Sequence, residues 1–108
     1  MSAEIYIKFY VDAVRSGMVA DMGAERLQTL LVIASFMNEK GECYPTQWQI
    51  AKALGVARET ANRRVMRLAK YRWEGKPLIE LRKIRNDMRE WVKIIYKILP
   101  VSNVSIFK

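Results

Sequence analysis

Gly55 sits between two stretches whose apolar residues recur at helical spacing, and that arrangement constrains the fold more than any other feature of the chain. Before it, Pro45 and Thr46 open a helix, with the threonine hydroxyl placed to accept a bond from a first-turn amide. Ile50, Ala51 and Leu54 then share one face. Ala51 is small enough for a second helix to cross closely. Gly55 follows the last apolar residue, where a left-handed backbone ends a helix, and Val56 offers an apolar anchor in the turn. A second helix follows, from Ala57 to Tyr71, with Ala61, Val65 and Leu68 turned inward. Helices over 46–54 and 57–71 joined by a tight glycine turn read as a helix-turn-helix. The second would be the recognition helix.

The outer face of that second helix carries the chemistry. Opposite Ala61 lie Glu59, Arg63, Met66 and Lys70, flanked by Asn62 and Arg67, with Arg58 in the first turn. Arginine and asparagine present forked donor and acceptor patterns that match guanine and adenine edges. A solvated charged face is the plain alternative, and the small-residue spacing and well-placed glycine weigh against it. The candidate base-reading residues are Arg58, Glu59, Asn62 and Arg63. Arg67, Lys70 and the start of the first helix, Thr46 and Gln47, are the candidate phosphate holders.

Charge points the same way. The net charge is +8 and the pI about 9.9, which favours nucleic acid or another anionic surface as partner. Residues 1–54 carry five Lys/Arg and six Asp/Glu, and residues 55–108 carry fourteen and five. The basic excess thus begins where the proposed recognition helix begins. With no histidine and one cysteine, a zinc site of the usual nitrogen and sulfur type, histidine acid–base catalysis and an internal disulfide are all excluded. Neither phosphate-loop motif is present. No carboxylate pair lies in an apolar setting, so the chain is not expected to be an enzyme or to hold a cofactor. Cys43 reads as a small buried residue rather than a nucleophile. No apolar run is long enough to span a membrane and no signal peptide is visible, so the expected compartment is the cytoplasm.

Along the chain, Glu4–Val11 alternates Ile5, Ile7, Phe9 and Val11 against Tyr6, Lys8 and Tyr10, a strand with one apolar face. Asp12–Met22 predicts one or two helical turns, and Gly23 a break. Ala24–Asn38 is the clearest long helix, with Leu27, Leu30, Leu31, Ile33, Ala34 and Met37 on a broad apolar face. Cys43 and Tyr44 re-enter the core. Arg72–Pro77 reads as a loop in which Trp73 packs under a following sheet. Leu78–Ile84 and Trp91–Leu99 predict an antiparallel hairpin, a wing whose tip and edges carry Arg82, Lys83, Arg85, Arg89 and Lys93. Arg85 and Arg89 are its candidate DNA contacts. Val101–Lys108 reads as an extra strand, a dimer contact or the start of a linker. Trp48 lies roughly opposite Ile50, away from the inner face, and is a candidate interface residue.

This order of elements resembles the winged helix-turn-helix domains of bacterial, plasmid and phage replication proteins, including plasmid initiators, phage replisome organisers and DnaD-like primosome proteins. The likeness rests on residues 30–68 and 72–79, above all on the lead-in GECYPTQ and on ALGVARET, similar to the ALGVSRRT of many such domains. Ala57 departs from the pattern, standing where a capping serine is common, at about 1 kcal/mol. Glu59 departs too, bringing negative charge to a face that is usually neutral or basic. The resemblance implies an α+β winged helix-turn-helix over residues 1–108 that binds double-stranded DNA in replication initiation or plasmid and phage maintenance. A transcription regulator of the same fold, or a self-associating module with a homodimeric or replication-protein partner, are the alternatives.

Overall fold

The structure is a computed structural model that describes residues 4–88 and 91–107. The described residues form an α+β fold of four α-helices, a three-stranded antiparallel sheet and two two-stranded ribbons.

The N-terminal strand β1 (Tyr6–Phe9) is shorter than its apolar alternation predicts. Ile7 and Phe9 are half-buried, but Ile5 and Val11 are exposed, because the chain turns into helix α1 (Asp12–Arg15) at Val11. Helix α2 (Met18–Ala34) is interrupted at Gly23, where φ is 81° and ψ 169°, at the predicted break. Its straight part buries Leu30, Ile33 and Ala34.

The helix expected to run to Asn38 ends at Ala34 instead. Phe36 and Met37 donate back to Ile33 and Ala34 in tight three-residue turns. The Asn38 carboxamide oxygen accepts the amides of Lys40 (2.9 Å) and Glu42 (3.1 Å). That local bonding competes with the helix. Met37 is buried nonetheless.

Strand β2 (Glu42–Cys43) follows, then α3 (Gln47–Leu54), α4 (Arg58–Lys70), β3 (Arg72–Trp73), β4 (Lys76–Pro77), β5 (Ile79–Arg85) and β6 (Trp91–Ile98). The predicted loop at 72–77 is a miniature hairpin, β3 against β4, turning through Glu74 (φ 51°) and Gly75 (φ 79°). Its Trp73 is half-buried against the core.

β5 and β6 pair antiparallel as the predicted wing, from Ile79↔Ile98 to Arg85↔Trp91, with a register shift between Ile84 and Arg85. β2 adds to the other edge of β6 through Cys43↔Tyr96, making a sheet of order β2-β6-β5. Gly41 makes that junction possible. A Cβ there would fall 2.9 Å from the Ile98 carbonyl oxygen, and the Gly41 carbonyl accepts the Ile98 amide at 2.7 Å.

The core lies between the helices and this sheet. Leu30 and Ile33 of α2, Ile50 and Leu54 of α3, and Ala61, Val65 and Leu68 of α4 meet Leu78, Ile79, Tyr96 and Ile98. The tail forms strand β7 (Val104–Phe107), which pairs antiparallel with β1 from Tyr6↔Phe107 to Phe9↔Val104.

Candidate nucleic-acid interface

The pair α3–α4 is built from local signals at one end and tertiary contacts at the other. At the start of α3, the Gln49 amide donates to the Thr46 hydroxyl at 3.1 Å and the Thr46 amide donates to the Gln49 side chain at 2.7 Å. This is a capping box, which satisfies two donors reciprocally. α3 ends on Gly55 in the left-handed conformation (φ 73°, ψ 31°), whose amide and that of Val56 return to Lys52 and Ala51. Val56 is half-buried in the turn, as its apolar character predicts.

α4 begins on Ala57 with no side-chain cap, so its first-turn amides lack a local acceptor. Glu59 in that turn places a carboxylate near the positive helix end, which offsets part of the loss. This supplies a structural reason for a negative charge at a position where the sequence made it unexpected.

With Ala61, Val65 and Leu68 buried, Arg58, Glu59, Asn62, Arg63, Met66 and Lys70 are all exposed along the outer side of α4. Thr46 is exposed and Gln47 half-buried at the start of α3. The Thr46 oxygen accepts its cap bond, but its hydroxyl proton is still available to an anion.

Arg67 departs from its expected place. Its guanidinium donates to the Glu25 carboxylate of α2 at 3.1 Å and 3.3 Å, and Arg64 approaches the same carboxylate at 3.9 Å. Arg67 is therefore turned to the α2 flank, where it helps tie the recognition helix to its support rather than joining the outer stripe. Both partners are well exposed, and such pairs contribute little stability.

Along the wing, Arg82, Lys83 and Arg85 of β5 and Lys93 and Lys97 of β6 are exposed. Arg89 lies outside the described residues. A groove of about 760 Å³ separates α4 from the wing, lined by Met66, Ala69, Arg72, Arg82, Lys83 and Lys97, with Glu42 and Glu80 also at its wall.

Tyr44 gains an importance that its sequence context does not suggest, while Trp48 is exposed as its place opposite Ile50 predicts. Tyr44, expected in the core, is 66% exposed, and the Lys93 ammonium sits 4.6 Å from its ring centroid. Successive strand residues face opposite ways, so burying Cys43 sends Tyr44 outward. Trp48 is 67% exposed, and the Arg58 guanidinium lies 5.1 Å from its ring centroid. The alternation at 43–44 was the available signal for Tyr44. Its pairing with Lys93 depends on the register of β2 against β6 and could not be read locally.

Titration behaviour separates structural groups from this surface. Burial pushes the Cys43 thiol up to about 12, and the thiol points to the Ile33 carbonyl at 3.4 Å. It is a packed core residue. Tyr71, at the end of α4, is also pushed up to about 12, first by burial and then by Asp21. Its hydroxyl donates to the Asp21 carboxylate at 2.6 Å, and the Arg26 guanidinium lies 5.3 Å from its ring centroid.

No curated protein and no solved structure matches the chain. Among the described residues, no helix is long and apolar enough to cross a membrane. Residues 25–73, however, match the family model of a helix-turn-helix domain. That span takes in the straight part of α2, β2, α3, α4 and β3. The two turn-linked helices thus lie within the matched residues, and with the β5–β6 hairpin after them the architecture is that of a winged helix-turn-helix.

Proposed function

We propose that this chain is a non-enzymatic, sequence-specific reader of duplex DNA. The observation that carries the proposal is the two-sidedness of α4: Ala61, Val65 and Leu68 are buried while Glu59, Asn62, Arg63 and Lys70 are exposed opposite them. A helix anchored in this way can enter the major groove with its polar side against base edges. Arg63 would donate to a guanine, Asn62 to an adenine, and Glu59 would accept from a cytosine amino group. Lys70, Thr46 and Gln47 would hold phosphates, and Arg85 on the wing would reach the backbone.

The biological setting we favour is replication initiation or plasmid and phage maintenance in the cytoplasm. Its support is the likeness of residues 30–68 and 72–79 to replication winged helices. Transcriptional control would use the same interface.

Selecting bound duplexes from a random pool tests the reading, and a shared motif is expected. Salt titrations on a selected site and on unrelated DNA then divide the surface. Arg63→Ala should lose about 1–3 kcal/mol of discrimination at one base pair. Arg85→Ala should weaken both DNAs nearly equally and lower the log–log salt slope by about 0.9. Equal weakening of both DNAs by Arg63→Ala would show that α4 does not read bases there. A second reading, a protein-interaction module, draws on the exposure of Trp48. An apolar interface of that kind would persist at salt concentrations that abolish phosphate binding.

A further inference from the structure

Tyr44, Trp48, Arg58 and Lys93 come from four different elements or connections: the β2–α3 turn, α3, α4 and β6. Together with Thr46 and Gln47 they line one open cavity of about 340 Å³. Two features coincide at this place. Its two aromatic side chains are about two-thirds exposed, although large aromatic surface is normally buried. Each also has a cation over one ring face, Lys93 on Tyr44 at 4.6 Å and Arg58 on Trp48 at 5.1 Å. A cation on one face orients the ring, and about two-thirds of each residue remains accessible.

We propose that this cavity takes an unpaired nucleotide, its base stacked on Trp48 or Tyr44 and its phosphate held by Arg58 or Lys93. Exposed aromatics interleaved with cations are what single-stranded nucleic acid requires, because every base has a stacking face and every linkage a negative charge. Paired bases inside a duplex present only their edges to a protein, so flat rings in this setting suit a base that has left the stack. The cavity lies beside the outer face of α4, sharing Arg58 with it. The chain would therefore bind a duplex that opens into a single strand more tightly than a closed duplex. The proposal rests on the nucleic-acid reading above but concerns a different strand form, so the two can fail separately.

The test uses the full chain with three probes: a blunt duplex, the same duplex with a short oligothymidine extension, and oligothymidine alone. Trp48→Ala and Tyr44→Ala should each lower affinity for oligothymidine roughly 5- to 100-fold, remove the advantage of the extended duplex, and leave the blunt duplex unchanged. Trp48→Phe and Tyr44→Phe should restore most of the loss, since they keep a stacking face. Arg63→Ala should show the reverse pattern, weakening the selected duplex and sparing oligothymidine. Circular dichroism and thermal melting identify any variant that fails to fold, and the phenylalanine variants then carry the test. The proposal is overturned if wild type shows no preference for the extended duplex. It is also overturned if the alanine variants weaken blunt and extended duplexes alike, or if they change only the oligomeric state, which would assign the aromatics to a protein contact.

Discussion

The two helices of the helix-turn-helix are held in opposite ways. α3 is bounded by chemistry within its own sequence: a reciprocal cap at Thr46 and Gln49, and a left-handed glycine at Gly55. α4 has neither. Its first turn starts from Ala57 without a cap, and its last gives way at Tyr71 in an extended conformation. What holds α4 is packing against α2, α3 and β5, together with Asp21 on Tyr71, while the exposed Glu25–Arg67 pair adds little. A helix fixed from behind can leave its leading end without internal partners, as the proposed reading role of α4 requires. A positioning helix has its ends closed.

The sharpest way to break this contrast is to remove packing from α4. Leu68 is fully buried, and Leu68→Ala should cost about 2–5 kcal/mol in urea unfolding. A loss below 1 kcal/mol would mean that α4 is held locally after all. The caps give the next largest effect. Thr46→Ala should lower stability by about 1 kcal/mol, whereas Ala57→Ser should raise it by a comparable or smaller amount. The comparison fails if both changes leave the midpoint unmoved.

Smaller still is the pH effect at the far end of α4. Burial, and then the Asp21 carboxylate, push the Tyr71 hydroxyl up from its ordinary 10 to about 12. A raised value means that the neutral form is the one stabilised. The contribution is therefore whole below pH 10 and lost as pH rises from 10 to 12. Tyr71→Phe should flatten that part of the alkaline stability profile, with Cys43 and the buried Tyr96, each also raised to about 12, accounting for the remaining slope. An unchanged profile would remove Tyr71 from the contacts that hold α4. Solvent proximity keeps the effect modest.

The same contrast explains what the sequence disclosed. The α3 boundaries, the Gly55 turn and the inner stripe of α4 were legible because each is written in adjacent residues. So were the wing and the break at Gly23. The end of α2 is not written in hydrophobic periodicity, which continues to the buried Met37, while beyond Ala34 the chain passes into tight turns and the Asn38 side chain organises the residues after them. The direction of the Arg67 side chain is a related case. Helical spacing puts it on the flank of the reading face, but only the position of Glu25 on another helix determines which way its guanidinium turns. Tyr44 and Lys93 lie far apart in the chain and meet only through sheet register.

The ribbon that joins β1 to β7 has a consequence for the order of assembly. Tyr6 pairs with Phe107 and Phe9 with Val104, so its contacts span nearly the whole chain. Loop-closure entropy makes such distant pairings late events, after the local helices and the hairpin have formed. On the ribosome β1 emerges well before β7 and must wait, unpaired, for β7 to be made. An extended segment bearing Ile5, Ile7 and Phe9 with an open edge is prone to pair with the wrong strand during that wait. Lys8, set in the middle of that segment, interrupts the apolar run and acts as its gatekeeper until the last strand arrives.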